Sequence, residues 1–199
     1  MSSVRFTEVF IIFVMAVIIL MYVKQYYGEV EYVKARSDGR KYLMRKLPDR
    51  ADAADLLAAL NASLTKLVQH MTAKYSGDRD VARLYENYNP DALSEGGTEI
   101  GYTSYSVNKG EKIVMCLRQR DNSLVDLNTL MYVAVHELGH LMTDEIGHTP
   151  KFWDNFRRLL NEAISMGLYK TVDYANNPQS YCGISISSSV VVPSVPSSA

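Results

Sequence analysis

Three of the four histidines in this chain, His136, His140 and His148, fall within thirteen consecutive positions. The first two belong to His136-Glu137-Leu138-Gly139-His140, an HExxH pattern. On a helix, positions i and i+4 share one face, so both imidazoles can reach a single metal ion. Glu137 lies beside them, where a carboxylate can take a proton from a metal-bound water. Zn2+ is the natural ion, because it accepts nitrogen ligands tetrahedrally and makes bound water acidic near neutral pH. Two solvated histidines on a surface helix are the plainer alternative. Val133, Val135 and Leu138 argue against it, since they mark a buried helix.

A catalytic zinc site needs a third protein ligand and an open position. His148 is one candidate: it follows Gly147, where the chain must leave the helix and can fold back over the metal. Glu162, in the next helix, is a second, and Asp144 or Glu145 a third. Helix phase and proximity favour His148. The last helix buries Phe152, Phe156, Leu159, Leu160 and Ala163, and at about 100° per residue Glu162 points away from that face. The metzincin pattern is not met, because it needs five residues between the second and third histidines. A deformylase-type site would need a ligand cysteine in its own motif, which Met115-Cys116-Leu117 does not supply.

The elements that must hold these residues can be read along the chain. Strand-like runs at Glu29 to Lys34 and Lys41 to Arg45 flank Asp38-Gly39, a hairpin signal. Asp49, with Asp52 three residues on, resembles a capping box for a helix carrying Leu56, Leu57, Leu60, Leu64, Leu67, Val68 and Met71 on one face. A shorter helix is expected from Asp80 to Tyr88, ended by Asn89-Pro90. Thr103 to Val107 and Lys112 to Arg118 read as a second hairpin around Asn108-Lys109-Gly110. The stretch Lys112 to Leu117 is the expected sheet edge for an extended substrate. Asp126 or Asn128 starts the metal helix, and Thr149-Pro150 opens the last one. Together these predict an α+β fold in three parts: an N-terminal transmembrane helix (1–27), a folded domain (28–184) and a disordered Ser/Val/Pro tail (185–199).

The stretch His136 to Trp153, HELGHLMTDEIGHTPKFW, resembles the active-site signature of the WLM and SprT-like zinc metallopeptidases. In that signature HExxH precedes a loop, a histidine in a Gly-His context, and an aromatic residue opening a helix. Here the matching pieces are Gly147-His148, Pro150 and Phe152-Trp153. Arg83-Leu84, Asn89-Pro90, Leu93-Ser94-Glu95 and the strand Ile113 to Arg118 are similar too. Blocks such as DGRKYLMRKLPD and the YCG at Tyr181 resemble WLM-like peptidases of large DNA viruses. The resemblance implies a zincin-like domain with His136, His140 and His148 on zinc and Glu137 as general base for peptide hydrolysis. Tyr169, Tyr174 and Tyr181 are candidate donors to the oxyanion. A non-catalytic membrane or virion protein that keeps a zinc-binding peptidase fold is the alternative; the intact Glu137 speaks against it.

From Val9 to Val23 the chain has no charge, glycine or proline. Fifteen helical residues reach about 22 Å, and Phe6, Thr7, Tyr26 and Tyr27 extend the span towards the ~30 Å hydrocarbon core. No A-x-A-like cleavage site follows, so a retained single-pass anchor is expected rather than a signal peptide. Lys24, Lys34, Arg36, Arg40 and Lys41 outnumber the charge before the span, which places the domain on the cytoplasmic face, of a host or virion membrane if the protein is viral. Cys116 and Cys182 read as free thiols in a reducing compartment, in agreement. On that face the sequon Asn61-Ala62-Ser63 is never glycosylated; on the opposite face it is open to the modification.

Composition bounds the rest. With 199 residues, 47% hydrophobic, the chain can bury a core, and wholesale disorder is excluded. The formal net charge of −1 argues against a nucleic-acid partner. That sum hides −1 over residues 1–33, +5 over 34–50 and −5 over 51–199. The basic hairpin of 34–50 suits anionic lipid headgroups, so the expected partners are a peptide substrate and a membrane.

Overall fold

The computed structural model describes residues 2–96 and 104–191, without the side chains of 2–4 and 25–27. Thr103, the tail beyond 191 and the expected anchors Tyr26 and Tyr27 therefore lie outside what is described. Helix α1 (Ser2–Gly28) is apolar on every face, and its stretch Arg5–Lys24 has a mean hydropathy of 2.6 with none of it buried. Twenty residues of helix are about 30 Å long, enough to cross a hydrocarbon core.

Strands β1 (Val30–Lys34) and β2 (Lys41–Arg45) pair antiparallel as the hairpin signal predicts, with Val33 opposite Tyr42. Helix α2 (Arg50–Lys74) buries Leu57, Leu60, Leu64, Leu67, Val68 and Met71, while Leu56 stays at the margin of that face. Its start departs from the expected capping box. Asp49 makes no side-chain cap; its carboxylate accepts from Arg118 Nη1 at 2.7 Å instead. Arg118 also donates Nε to Glu95 at 2.7 Å, and both are almost wholly buried. The Glu95 carboxylate accepts from the Arg45 backbone N–H as well, so one ion pair ties β2, the start of α2 and the central sheet together.

Helix α3 (Arg79–Asn87) is capped by Asp78, whose side chain accepts from the N–H groups of Asp80 and Val81. The central sheet holds β3 (Leu93–Glu95), β4 (Tyr105–Val107) and β5 (Lys112–Met115) in the order β3-β5-β4. This corrects the expected substrate edge. The Lys112 strand lies in the middle, parallel to β3 and antiparallel to β4, so among the described residues β3 and β4 are the terminal strands. It is also shorter than expected, because beyond Met115 the chain turns back through Arg118–Leu124 and Leu117 accepts from Val125 N–H.

Helix α4 (Leu127–Met142) starts at Asp126, which accepts from Thr129 N–H at 2.9 Å, and α5 (Pro150–Ser165) starts at Thr149 with Pro150 in its first turn. After α5 the chain forms a hairpin of β6 (Gln179–Tyr181) and β7 (Ile184–Ile186). The packed chain continues past the expected boundary at 184. Ser188 O accepts from Tyr132 OH, Ser189 Oγ bridges Val172 O and Tyr174 N–H, and Val190 and Val191 pack on the core.

Three further expectations are corrected. Cys116 and Cys182 are joined in a disulfide across a separation of 66 residues, so they are not free thiols. Asn61 is buried, donating to Tyr42 OH and Pro90 O, so a glycan on it is incompatible with this fold whatever the topology. Glu162 does not face solvent. It meets His70 (2.7 Å) and Lys74 (2.7 Å) on α2, the helix that covers this flank of α5, and Tyr75, which caps the end of that helix.

Burial alone would raise the Glu162 carboxyl, but the bonds from Lys74, Tyr75 and His70 outweigh it and hold the group at about 2, against an ordinary 4.5. Its stabilisation is therefore complete above pH 4.5 and is lost as the pH falls towards 2. Glu162→Gln is expected to lower stability at pH 7 by about 1–3 kcal/mol in denaturant unfolding. Wild type and variant should converge over that acid window; a gap that stays constant through it contradicts the assignment.

Candidate metal centre

The site begins with the way α4 meets α5. A Cβ added at Gly139 would stand 3.0 Å from the Phe152 ring and 3.4 Å from Phe156 Cβ, so any side chain there requires Phe152 to give by a few tenths of an ångström. Phe152 then forms a floor beneath the histidines. His140 stacks on it with centroids 4.3 Å apart, and His136 and His148 meet its ring at 4.9 and 4.8 Å. Past Thr143 the chain leaves the helix, and Gly147, at φ +84°, makes the left-handed turn that returns His148 towards it. Thr149 fixes the far end of that loop by accepting from Phe152 N–H at 3.3 Å. Trp153 lies 5.5 Å from the His148 ring.

The potential ligand atoms of His136, His140 and His148 all lie within 4.8 Å of one another. The Nε2 atoms of His136 and His148 are 3.0 Å apart. Two nitrogens bound to one tetrahedral zinc stand about 3.3 Å apart, so the spacing already approximates a shared ion. Burial, reinforced by the neighbouring histidines, pushes His136 down to about 3; burial, His148 and Lys109 push His140 down to about 4. Neutral rings present lone pairs, which is the form a metal requires. The donor set fits a zinc ion.

Glu137 is buried at the wall of a cavity of about 580 Å³ that the three histidines also line. Burial raises its carboxyl to about 7, against the opposing pull of hydrogen bonds from the side chain and backbone of Ser106. Ser106 lies on β4, so this terminal strand touches the carboxylate directly. Lys109, in the turn after β4, donates to Thr143 O and Glu145 O and holds the exit of α4.

Of the other ligand candidates, Glu162 is committed to α2. Asp144 pairs with Lys151 at 2.8 Å, and Glu145 lines the cavity without joining the histidine cluster. The fourth histidine, His70, is the partner of Glu162. Of the three tyrosines, only Tyr181 lines the cavity; its hydroxyl contacts Ser104 Oγ and donates to Cys116 O. Tyr169 and Tyr174 pack in the core around Tyr132. Ser106, Tyr132 and the isoleucines at 146, 184 and 186 carried no sequence signal, because tertiary contact alone brings them to the cavity.

An HExxH helix, a returning histidine and a small sheet with a terminal strand at the carboxylate define a domain of the zinc-metallopeptidase type. The WLM domain matches residues 40–189, and the chain belongs to that family. Relatives occur in large DNA viruses. The chain is 29% identical over 191 residues to protein R325 of Acanthamoeba polyphaga mimivirus, covering 94% of this chain and 97% of that one. With protein 136R of Invertebrate iridescent virus 6 it shares 35% identity over 118 residues, 57% of this chain and 61% of the other. The crystal structure of Wss1 from Saccharomyces cerevisiae is similar with a TM-score of 0.45 and 18% identity, over 61% of this chain and 84% of that one.

The full chain is expected to hold about one zinc through dialysis. His148→Ala should abolish that retention in elemental analysis, whereas Glu162→Gln should keep it. The reverse pattern makes Glu162 the third ligand.

Proposed function

We propose that the chain is a membrane-anchored zinc endopeptidase, with His136, His140 and His148 as the ligands and Glu137 as the general base. The observation that carries this reading is the Glu137 carboxylate sharing one cavity with three clustered imidazoles. A zinc ion held there supplies Lewis acidity, polarising a peptide carbonyl and acidifying water. Glu137 accepts a proton from the attacking water and passes it to the leaving amine. Ser106 orients the carboxylate by hydrogen bonding to it. An extended peptide adds along β4, which lines the cavity with Tyr105 and Ser106 and, just before it, Ser104. The same placement favours an enzyme over a purely structural zinc protein, which has no need of a buried carboxylate beside its ligands.

Helix α1 serves as the anchor. Leaving its apolar side chains in water is unfavourable by roughly 25 cal/mol per Å², and no part of the described domain covers them. The Lys and Arg surplus after α1 supports a domain facing the cytoplasm. The disulfide does not add to that support, since such bonds persist mainly in oxidising compartments. Of the basic hairpin, Arg36 pairs with Asp52 and Asp55, Arg40 with Asp91 and Arg50 with Glu31. Lys34 and Lys41, opposite one another across the strands, with Lys46, remain the exposed lysines for anionic headgroups.

The zinc-loaded chain in detergent should cleave an unfolded protein substrate. Glu137→Gln should keep its zinc and lose activity by about 10²–10⁴-fold. Equal rates in the two proteins, or no cleavage by a zinc-loaded wild type, contradict the enzyme. In membranes, the wild type should resist alkaline extraction, and Val14→Lys with Ile18→Lys should release it, at about 2.5–3.5 kcal/mol per charge.

A further inference from the structure

The cavity has two unlike ends. Strand β4 and helix α4 run along it in the same direction: Ser104 is at Tyr181, Ser106 at Glu137, and Lys109 at the exit of α4. At the exit end stand Lys109 and Glu145. At the other end, one turn before His136, the lining consists of Tyr132 and Val133 from α4 and Tyr181, Ile184 and Ile186 from the C-terminal hairpin, with no charged side chain among them.

A hairpin of two three-residue strands is marginal by itself. Here it is fastened at several points. The Cys116–Cys182 disulfide joins its turn to the exit of β5, Gln119 bonds Ser180 O at 2.7 Å and Cys182 N–H at 3.1 Å, and Arg120 donates to Gly183 O. Downstream, Tyr132 OH donates to Ser188 O. The wall is thus fixed relative to the metal helix, yet Ile184 remains 52% exposed at its rim. An exposed aliphatic side chain on a fastened wall, facing an uncharged recess beside Glu137, is poorly hydrated and gains by covering.

We infer that the β6–β7 hairpin is the specificity element of the site, walling a subsite that accepts a bulky apolar side chain of an extended peptide. The occupant is a Leu- or Phe-bearing substrate segment. β4 offers its backbone along the same cavity, and none of the five side chains that wall the recess carries a charge. This inference rests on the peptidase reading but concerns binding, so it can be scored separately.

The test uses the full chain in nanodiscs and fluorescein-labelled Gly/Ser octapeptides with Leu, Phe, Ala, Asp or Lys at one central position, read by anisotropy. The Leu and Phe peptides should bind about 10–100-fold more tightly than the Ala peptide, with the Asp and Lys peptides no tighter than Ala. Ile184→Asp, at an exposed position, should erase the preference for Leu over Ala and improve binding of the Lys peptide relative to the Ala peptide. That gain is one a merely damaged fold does not produce. Equal binding of all peptides by wild type, or a Leu preference that survives Ile184→Asp, overturns the inference. Preference without any cleavage contradicts the peptidase reading alone; cleavage without preference contradicts the subsite alone.

Discussion

Helices α4 and α5 approach so closely at Gly139 that a single methyl group there would press against the Phe152 ring at 3.0 Å. That contact sets the height of Phe152 under the three imidazoles, and with it the spacing of their nitrogens. Larger side chains at position 139 would push α5 outward and take Thr149 and the returning His148 with it. The remaining architecture defends this crossing. Helix α2 backs it, the Glu162 cluster pins α5 to α2, and the Arg118–Glu95 pair anchors the sheet that carries Ser106 to Glu137.

The chain then divides into regions of unlike surface. Helix α1 is apolar on every face and suits lipid, whereas the domain behind it buries its own core in the usual way. Between them, the basic hairpin uses three arginines in local ion pairs, so much of the apparent surplus of positive charge there is internal structure. At the other end, residues 186–191 are part of the domain: they contribute Ile186 to the cavity and the Ser188 carbonyl as acceptor to Tyr132 OH.

The metal centre is legible in the sequence because its signals are local: i, i+4 histidines, a glycine before the third, and a Thr-Pro helix start all lie within one short stretch. Helix α2 is legible for the same reason, since its leucines repeat on one face. What escapes a linear reading depends on partners distant in the chain. Helix phase places Glu162 off the buried face of α5, but cannot show that α2 arrives on that flank with Lys74 and Tyr75. A strand's alternation does not reveal its place in the sheet, so Lys112–Met115 reads as an edge although β3 and β4 enclose it. Two cysteines separated by 66 residues look unrelated until the β6–β7 turn is folded against the exit of β5. Asp49 keeps its place at the head of α2, yet its carboxylate serves Arg118.

In the function proposed above, three imidazoles brought together by the α4–α5 crossing hold one ion beside Glu137. Zinc K-edge absorption on the full chain tests this most directly. The account predicts three imidazole nitrogens at about 2.0–2.1 Å with one further light ligand at a similar distance, and the loss of one imidazole shell in His148→Ala. A sulfur shell near about 2.3 Å, or an imidazole count in wild type that His148→Ala leaves unchanged, would contradict it.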